Sequence, residues 1–180
     1  MKIDNLTAGQ KLPEEVNVII EIPSRSDPVK YELDKNTGLL TVDRFVATGM
    51  SYPCDYGFIP QTLSEDGDPV DVLVVSPYSL HPGVLIRCRP IGLLRMTDES
   101  GKDAKILAVP ILKLTTRYQE VHAPKDLGAD FLASVEYFFQ HYKDLESGKW
   151  VKLDGWEECK AAHQEILSSV TRYQKKHKSD

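Results

Sequence analysis

Between Val16 and about Leu114 the apolar residues come in short β-branched runs broken by Gly, Pro, Asn and Asp, and none of these runs keeps a helical period. The pattern predicts strands at 16–22, 29–34, 39–45, 70–75, 84–96 and 105–112, arranged as an antiparallel barrel or sandwich. Asn36-Thr37-Gly38 and Glu99-Ser100-Gly101-Lys102 carry turn chemistry, which predicts hairpins at both places. Past Pro124 the period changes. Leu127, Phe131, Val135, Phe138 or Phe139 and Tyr142 recur at three- and four-residue steps, the signature of one apolar helix face. Asp154 and Glu157 have the spacing of a capping box, predicting a second helix whose stripe is Trp156, Cys159, Ile166, Val170 and Tyr173 and which covers the barrel. Lys175, Lys176 and Lys178 fit either a helix C-terminus or a disordered basic tail over about 175–180. Strands followed by helices, with no repeat or linker-like stretch between them, predict a mainly β member of the α+β class, one domain over 1–180.

Composition narrows the functions open to such a domain. Lys plus Arg total 22 against 27 Asp plus Glu, a net charge of −5, which argues against broad binding to a nucleic-acid backbone. The three cysteines, Cys54, Cys88 and Cys159, are far apart and outside any C-x-x-C spacing, as expected for reduced thiols in the cytoplasm. The N-terminal stretch has no apolar signal-peptide core, and no apolar run approaches the ~20 residues of a membrane helix.

The most informative segment is Asp66-Gly67-Asp68-Pro69-Val70-Asp71. Gly67 and Pro69 forbid a regular helix there, so three carboxylates are crowded into one turn. Like charges this close are unfavourable unless solvated or shared with a cation, and oxygen donors without His or Cys point to Mg²⁺, Mn²⁺ or Ca²⁺. An EF-hand is excluded, because Asp71 stands where that loop needs Gly and Pro77 where it needs Glu. A second acidic loop, Asp98-Glu99-Ser100-Gly101-Lys102-Asp103, lies at a predicted hairpin tip and is followed by Lys105. Strand alternation puts Lys30 and Glu32 on one face, with Glu21 on the preceding strand. Arg44, the loop tyrosines Tyr52 and Tyr56, and Tyr142-Lys143 add donors. Each segment alone reads equally as a surface turn, an exposed ion pair or a packed phenol. Together they supply what a metal-chelated polyphosphate needs. His81, His122, His163 and His177 form no spaced metal motif, and Cys159 with His163 reads as helix packing.

These segments resemble those of soluble family I inorganic pyrophosphatases of bacterial type. The likeness runs through Ile20-Glu21-Ile22-Pro23, Lys30-Tyr31-Glu32, Asp43-Arg44, Tyr52-Pro53, Asp55-Tyr56-Gly57, the 66–74 run, Arg87-Cys88-Arg89-Pro90, Met96-Thr97-Asp98 and His141-Tyr142-Lys143-Asp144. The resemblance implies a small closed OB-like β-barrel with two C-terminal helices packed outside, and hydrolysis of pyrophosphate in a cleft at the barrel. It implies Asp66, Asp71, Asp98 and Asp103 as Mg²⁺ ligands, Mn²⁺ being a plausible substitute, and Asp68 as the base acting on metal-activated water. Lys30, Arg44, Tyr56, Tyr142 and Lys143 match the phosphate-holding residues, Glu21 and Glu32 the supporting acids, and Tyr52 and Lys105 the rest of the polar shell. It also implies a homo-oligomer, a hexamer or a trimer, with Tyr137 standing where bacterial relatives often carry a contact His. Two other readings compete: a non-catalytic barrel that binds nucleic acid or a divalent ion, and a broader Mg²⁺-dependent phosphatase, which needs a pocket for an organic group.

Overall fold

A computed structural model describes residues 6–35 and 37–178. The chain runs β1 (Val16–Ile22), β2 (Val29–Leu33), β3 (Leu40–Phe45), β4 (Asp55–Phe58), β5 (Asp71–Val74), β6 (Leu85–Asp98), β7 (Gly101–Pro110), a 3₁₀ turn (Pro124–Leu127), α1 (Ala129–His141), β8 (Val151–Glu158) and α2 (Cys159–His177). Six of the eight strands lie where the apolar runs predict them, shifted by a few residues at their ends.

The main sheet has the order β1-β4-β5-β7-β6-β8, and β1 also pairs with β6, so β1, β4, β5, β7 and β6 close into a five-stranded barrel. Closure depends on the length of β6. Its first residues pair with β1 from Val16↔Cys88 to Ile19↔Leu85, while Gly92 to Asp98 pair with β8. The expectation of a purely antiparallel barrel is corrected at one seam: β5 and β7 run parallel, with Asp71 beside Lys105. The intervening strand β6 lies on the far side of β7, so the chain returns to β5 in the same direction. β2 and β3 form a separate two-stranded ribbon. Its turn contains Asn36, which lies outside the described residues, but Leu33↔Leu40 pairing makes 29–45 the expected hairpin. The hairpin at Asp98↔Gly101 is likewise formed, leaving Glu99 and Ser100 as its loop.

Two strands escaped the sequence reading. β4 is four residues long and buried at every one, because β1 and β5 flank it. A fully covered strand shows no polar alternation, so its sequence reads as a loop. Gly57 is required there, since a Cβ would lie 1.9 Å from the Ile19 carbonyl oxygen of β1. β8 overturns the predicted capping box: Asp154 and Glu157 stand in a strand paired with β6, and α2 begins only at Cys159. Gly155, at φ +105°, sits at the register shift between Arg95 and Met96 and interrupts the alternation that would have marked the strand. Trp156 therefore belongs to β8 rather than to the helix stripe, and its indole N–H donates to Glu136 of α1 at 2.6 Å. α2 continues through Lys175 and Lys176 to His177.

Alternate residues of the barrel strands feed two apolar clusters. Val16, Val18, Ile20, Val72, Val74, Leu93 and Ile106 pack with Ala162 and Ile166 of α2. Ile22, Tyr56, Leu73, Leu94, Met96 and Leu107 pack with Val135, Phe138 and Phe139 of α1. Burying about a hundred Å² of each such side chain at roughly 25 cal/mol per Å² is the main force fixing the strand register. That register decides which polar residues share a wall. Among the described residues, no helix is long and apolar enough to cross a membrane.

Candidate active site

The parallel β5–β7 pair sets the centre of the site. Asp71 and Lys105 are register partners, and Asp103 lies two residues before Lys105 on the same strand face. The Lys105 ammonium ion donates to Asp71, to Asp103 at 2.7 Å and to the Tyr56 hydroxyl at 3.3 Å. Burial by itself would drive protons off this lysine, but the Asp71 and Asp103 charges outweigh it and hold its pKa well above the ordinary value. Burial, reinforced by Asp71 and only partly offset by Lys105, raises the Asp103 carboxyl.

The hairpin tip and the end of α1 form a second side. Lys143 donates to Asp98 at 2.7 Å and to Glu99 at 3.3 Å, and Lys149 reaches Glu99 at 2.6 Å. Burial disfavours ionised Glu99, yet the two lysines hold its pKa down at about 2. On the ribbon, Lys30 bonds Glu32 at 2.5 Å and Asp43 at 3.0 Å, while Arg44 donates from Nε to Asp43 at 2.8 Å and from Nη1 to Glu146 at 2.7 Å.

The 66–71 loop closes the rim. Asp66 accepts the Asp68 N–H at 3.0 Å, Ser64 donates its N–H to the Asp68 carbonyl at 2.7 Å, and Thr62 accepts the Val70 N–H at 2.9 Å. Bonds to backbone groups thus shape this turn and leave the Asp68 carboxylate 80 % exposed at the mouth, 3.8 Å from Lys35. Burial, with repulsion from Asp103, Asp71 and Asp68, raises Asp66.

These residues line one cleft of about 350 Å³. Of the residues singled out in the sequence, Glu21, Lys30, Glu32, Arg44, Tyr56, Asp66, Asp68, Asp71, Asp98, Asp103, Lys105, Tyr142 and Lys143 all face it. Tyr52 stands behind that wall: its ring lies 5.1 Å from Tyr56 and 4.6 Å from Phe138, within the apolar cluster. Sequence reading gave no site role to Lys35, Glu99 and Lys149, which also line the cleft, or to Asp43 and Glu146, which hold its cations. Glu99 was legible as part of the hairpin tip; nothing local distinguishes Lys149 or Glu146 from a solvated turn. Cys159 and His163 lie 3.2 Å apart on α2, away from these residues.

The donor set fits a hard divalent cation, since its acids are carboxylates with no His or Cys lining the cleft. Among the described residues no three ligating side chains are already gathered on one point. Lysine ammonium groups stand against the carboxylates instead, Lys105 against Asp71 and Asp103 and Lys143 against Asp98.

Glu21 is a strongly perturbed acid of the cleft. Burial, opposed by the Leu33 N–H at 2.8 Å and reinforced by Asp71, pushes it up to about 8. An acid raised in this way favours the folded state in its protonated form. Its contribution is therefore complete below the unfolded value of 4.5 and is lost as pH rises from there to about 8. In chelator, Glu21→Gln, which keeps an acceptor for Leu33, is expected to gain roughly 1–4 kcal/mol on the parent between pH 5 and pH 8. Urea denaturation at the two pH values checks this, and an unchanged difference would rule out a buried neutral Glu21.

Fold and cleft together define a class: a small-barrel protein whose pocket, dense in both acids and fixed cations, suits a compact and highly charged anion. The chain matches the family profile of inorganic pyrophosphatase over residues 18–174. It is 58% identical to the inorganic pyrophosphatase of Yersinia pestis, over 97% of this chain and 100% of that protein. The Escherichia coli K12 inorganic pyrophosphatase is 55% identical over 98% of this chain and all of its own length. Among solved structures, the inorganic pyrophosphatase of Thermus thermophilus superposes with a TM-score of 0.91 at 42% identity, covering 97% of this chain and 99% of that one. The chain belongs to the inorganic pyrophosphatase family.

Proposed function

We propose that this cleft hydrolyses inorganic pyrophosphate to two orthophosphates, with Asp68 as the general base. As a family member the chain is an inorganic diphosphatase, and the observation that supports its mechanism best is the alternation of carboxylates with Lys, Arg and Tyr donors around one small cavity. Divalent cations, Mg²⁺ foremost with Mn²⁺ as a substitute, held by Asp66, Asp71, Asp98 and Asp103, would supply Lewis-acid polarisation and acidify the attacking water. Asp68, exposed at the mouth and free of a short ion pair, accepts the proton of that water. Lys30, Arg44 and Lys143, with the Tyr56 and Tyr142 hydroxyls, bind the phosphate oxygens and offset the charge growing on the leaving phosphate. Glu21, neutral below about 8, and Glu32 hold the ribbon side of the cleft, and Lys105 fixes Asp71, Asp103 and Tyr56 relative to one another.

Pyrophosphate suits the walls better than a nucleotide does. Among the described residues that line the cleft, apart from the tyrosine rings, only Leu33, Phe58 and Pro69 offer apolar surface, too little to hold a base or sugar. Purified protein in Mg²⁺ is expected to release phosphate from pyrophosphate and not from ATP, and to stop when chelator is added. Equal rates on the two substrates would mean the broader phosphatase instead. The active form is a homo-oligomer, a hexamer or a trimer. The exposed face of α1 supports this, with the Tyr137 ring packed at 4.4 Å on His141 in a tilted arrangement, and His141 itself 2.7 Å from Asp144. Three unpaired cysteines support a reducing, cytoplasmic setting.

A further inference from the structure

We propose that Glu146 is a positioning residue for phosphate binding: it aims the Arg44 guanidinium and joins the two sides of the cleft across it. This inference rests on the reading of the cleft given above. A guanidinium has five N–H donors in one plane, so fixing two of its nitrogens fixes the direction of the third. Asp43 takes Nε at 2.8 Å and Glu146 takes Nη1 at 2.7 Å, so Nη2 and the second N–H of Nη1 are directed by those two carboxylates.

The two anchors come from different places. Asp43 is the neighbour of Arg44 on β3 and also holds Lys30 at 3.0 Å, so it moves with the ribbon. Glu146 is 102 positions away in the loop between α1 and β8, and its side chain is only 19 % exposed. That loop also carries Lys143 and Lys149, both anchored on the β6–β7 hairpin tip through Asp98 and Glu99. Among the described residues the ribbon has no register partner in the barrel sheet, being a separate two-stranded unit. The Arg44–Glu146 pair therefore ties a phosphate-binding cation on the ribbon to the loop that supplies another, Lys143. Without it, Arg44 keeps one anchor, and the spacing between the two cations is set less tightly.

The sign of the effect separates this role from simple electrostatics. Removing a negative charge beside an anion site lowers KM, because repulsion is relieved. Losing the aim of a binding group raises it. With the full-length chain, pyrophosphate and saturating Mg²⁺, Glu146→Ala is expected to raise KM about tenfold with kcat within about twofold of the parent. Glu146→Gln, whose carbonyl oxygen still accepts from Nη1, restores most of that change. Glu146→Asp keeps the charge but shortens the reach by one methylene, so its KM rises as well. In an Arg44→Ala background, Glu146→Ala adds nothing further, an outcome that a general packing role would not give. If Glu146→Ala fails to fold, Glu146→Asp carries the same comparison. A KM that is unchanged or lower in Glu146→Ala, or in Glu146→Asp where the alanine variant does not fold, overturns the inference, as do additive effects in the double mutant. A parent chain that leaves pyrophosphate intact overturns the reading of the cleft, and this inference with it; a parent that hydrolyses it while all Glu146 variants match it overturns this inference alone.

Discussion

Asp68→Asn is expected to lower kcat for pyrophosphate by about 10²- to 10⁴-fold, the range that a positioned general base contributes. The fold gives no reason for a loss of stability to accompany it. The carboxylate is 80 % exposed, its nearest cation is Lys35 at 3.8 Å, and the turn around it is held by backbone groups of Ser64, Asp68 and Val70. Surface substitutions of this kind change stability by about 0.5 kcal/mol or less. Asn keeps the volume and an acceptor oxygen but cannot take a proton at neutral pH. Divalent-ion binding, read by calorimetry, should change little because the acids proposed to hold the cations are the four others. Near-normal turnover in this variant would transfer the base to another group in the cleft, whereas lost turnover with lost cation binding would make Asp68 a ligand.

Lys105→Met is expected to have the largest effect on stability. The side chain is 5 % exposed and stands between Asp71 and Asp103, which are themselves 25 % and 14 % exposed. Met fills similar volume without charge, so two half-buried carboxylates lose their shared counter-ion. Breaking a buried pair on one side costs about 3–5 kcal/mol, and the residual hydration of Asp71 favours the lower end of that range. In a protein of this size about 3 kcal/mol corresponds to a fall in Tm of roughly 6–12 °C. On the proposed assignment of Asp71 and Asp103 as cation ligands, the lysine also competes with a divalent cation for them. The variant should therefore regain more stability from Mg²⁺ than the parent does, about 2.7 kcal/mol when Mg²⁺ is at a hundred times its Kd. Thermal melts of both proteins in chelator and in Mg²⁺ provide the check. Equal Mg²⁺ gains would show that the cation does not share those carboxylates.

The second expectation rests on contacts that only the closed barrel creates, while the residues that make them were visible beforehand. Asp66, Asp68 and Asp71 crowd together within six positions, and a like-charge cluster is costly wherever it sits, so the sequence alone pointed to a cation. Asp98 and Asp103 were legible for the same reason, at the ends of a turn whose Gly marks a hairpin. Strand positions in the barrel were legible where runs of β-branched residues were bounded by turn formers, as at Val16–Ile22, whose limits match. β4 was not, because a strand covered on both sides carries no alternating pattern, nor was β8, because Gly155 and the Asp154–Glu157 spacing imitate the start of a helix.

What the sequence determined by itself is therefore the chemistry: hard oxygen donors, fixed cations and phenols in the order of a known family, on a strand-then-helix chain. What only the tertiary structure decided is their partnership. Lys105 lies between Asp71 and Asp103 because β5 and β7 run side by side in parallel, and Arg44 meets Glu146 because the ribbon folds onto a loop 102 residues away. Local preference acts over a few residues, whereas such pairings are fixed by the packing of two apolar clusters that no single segment can form alone.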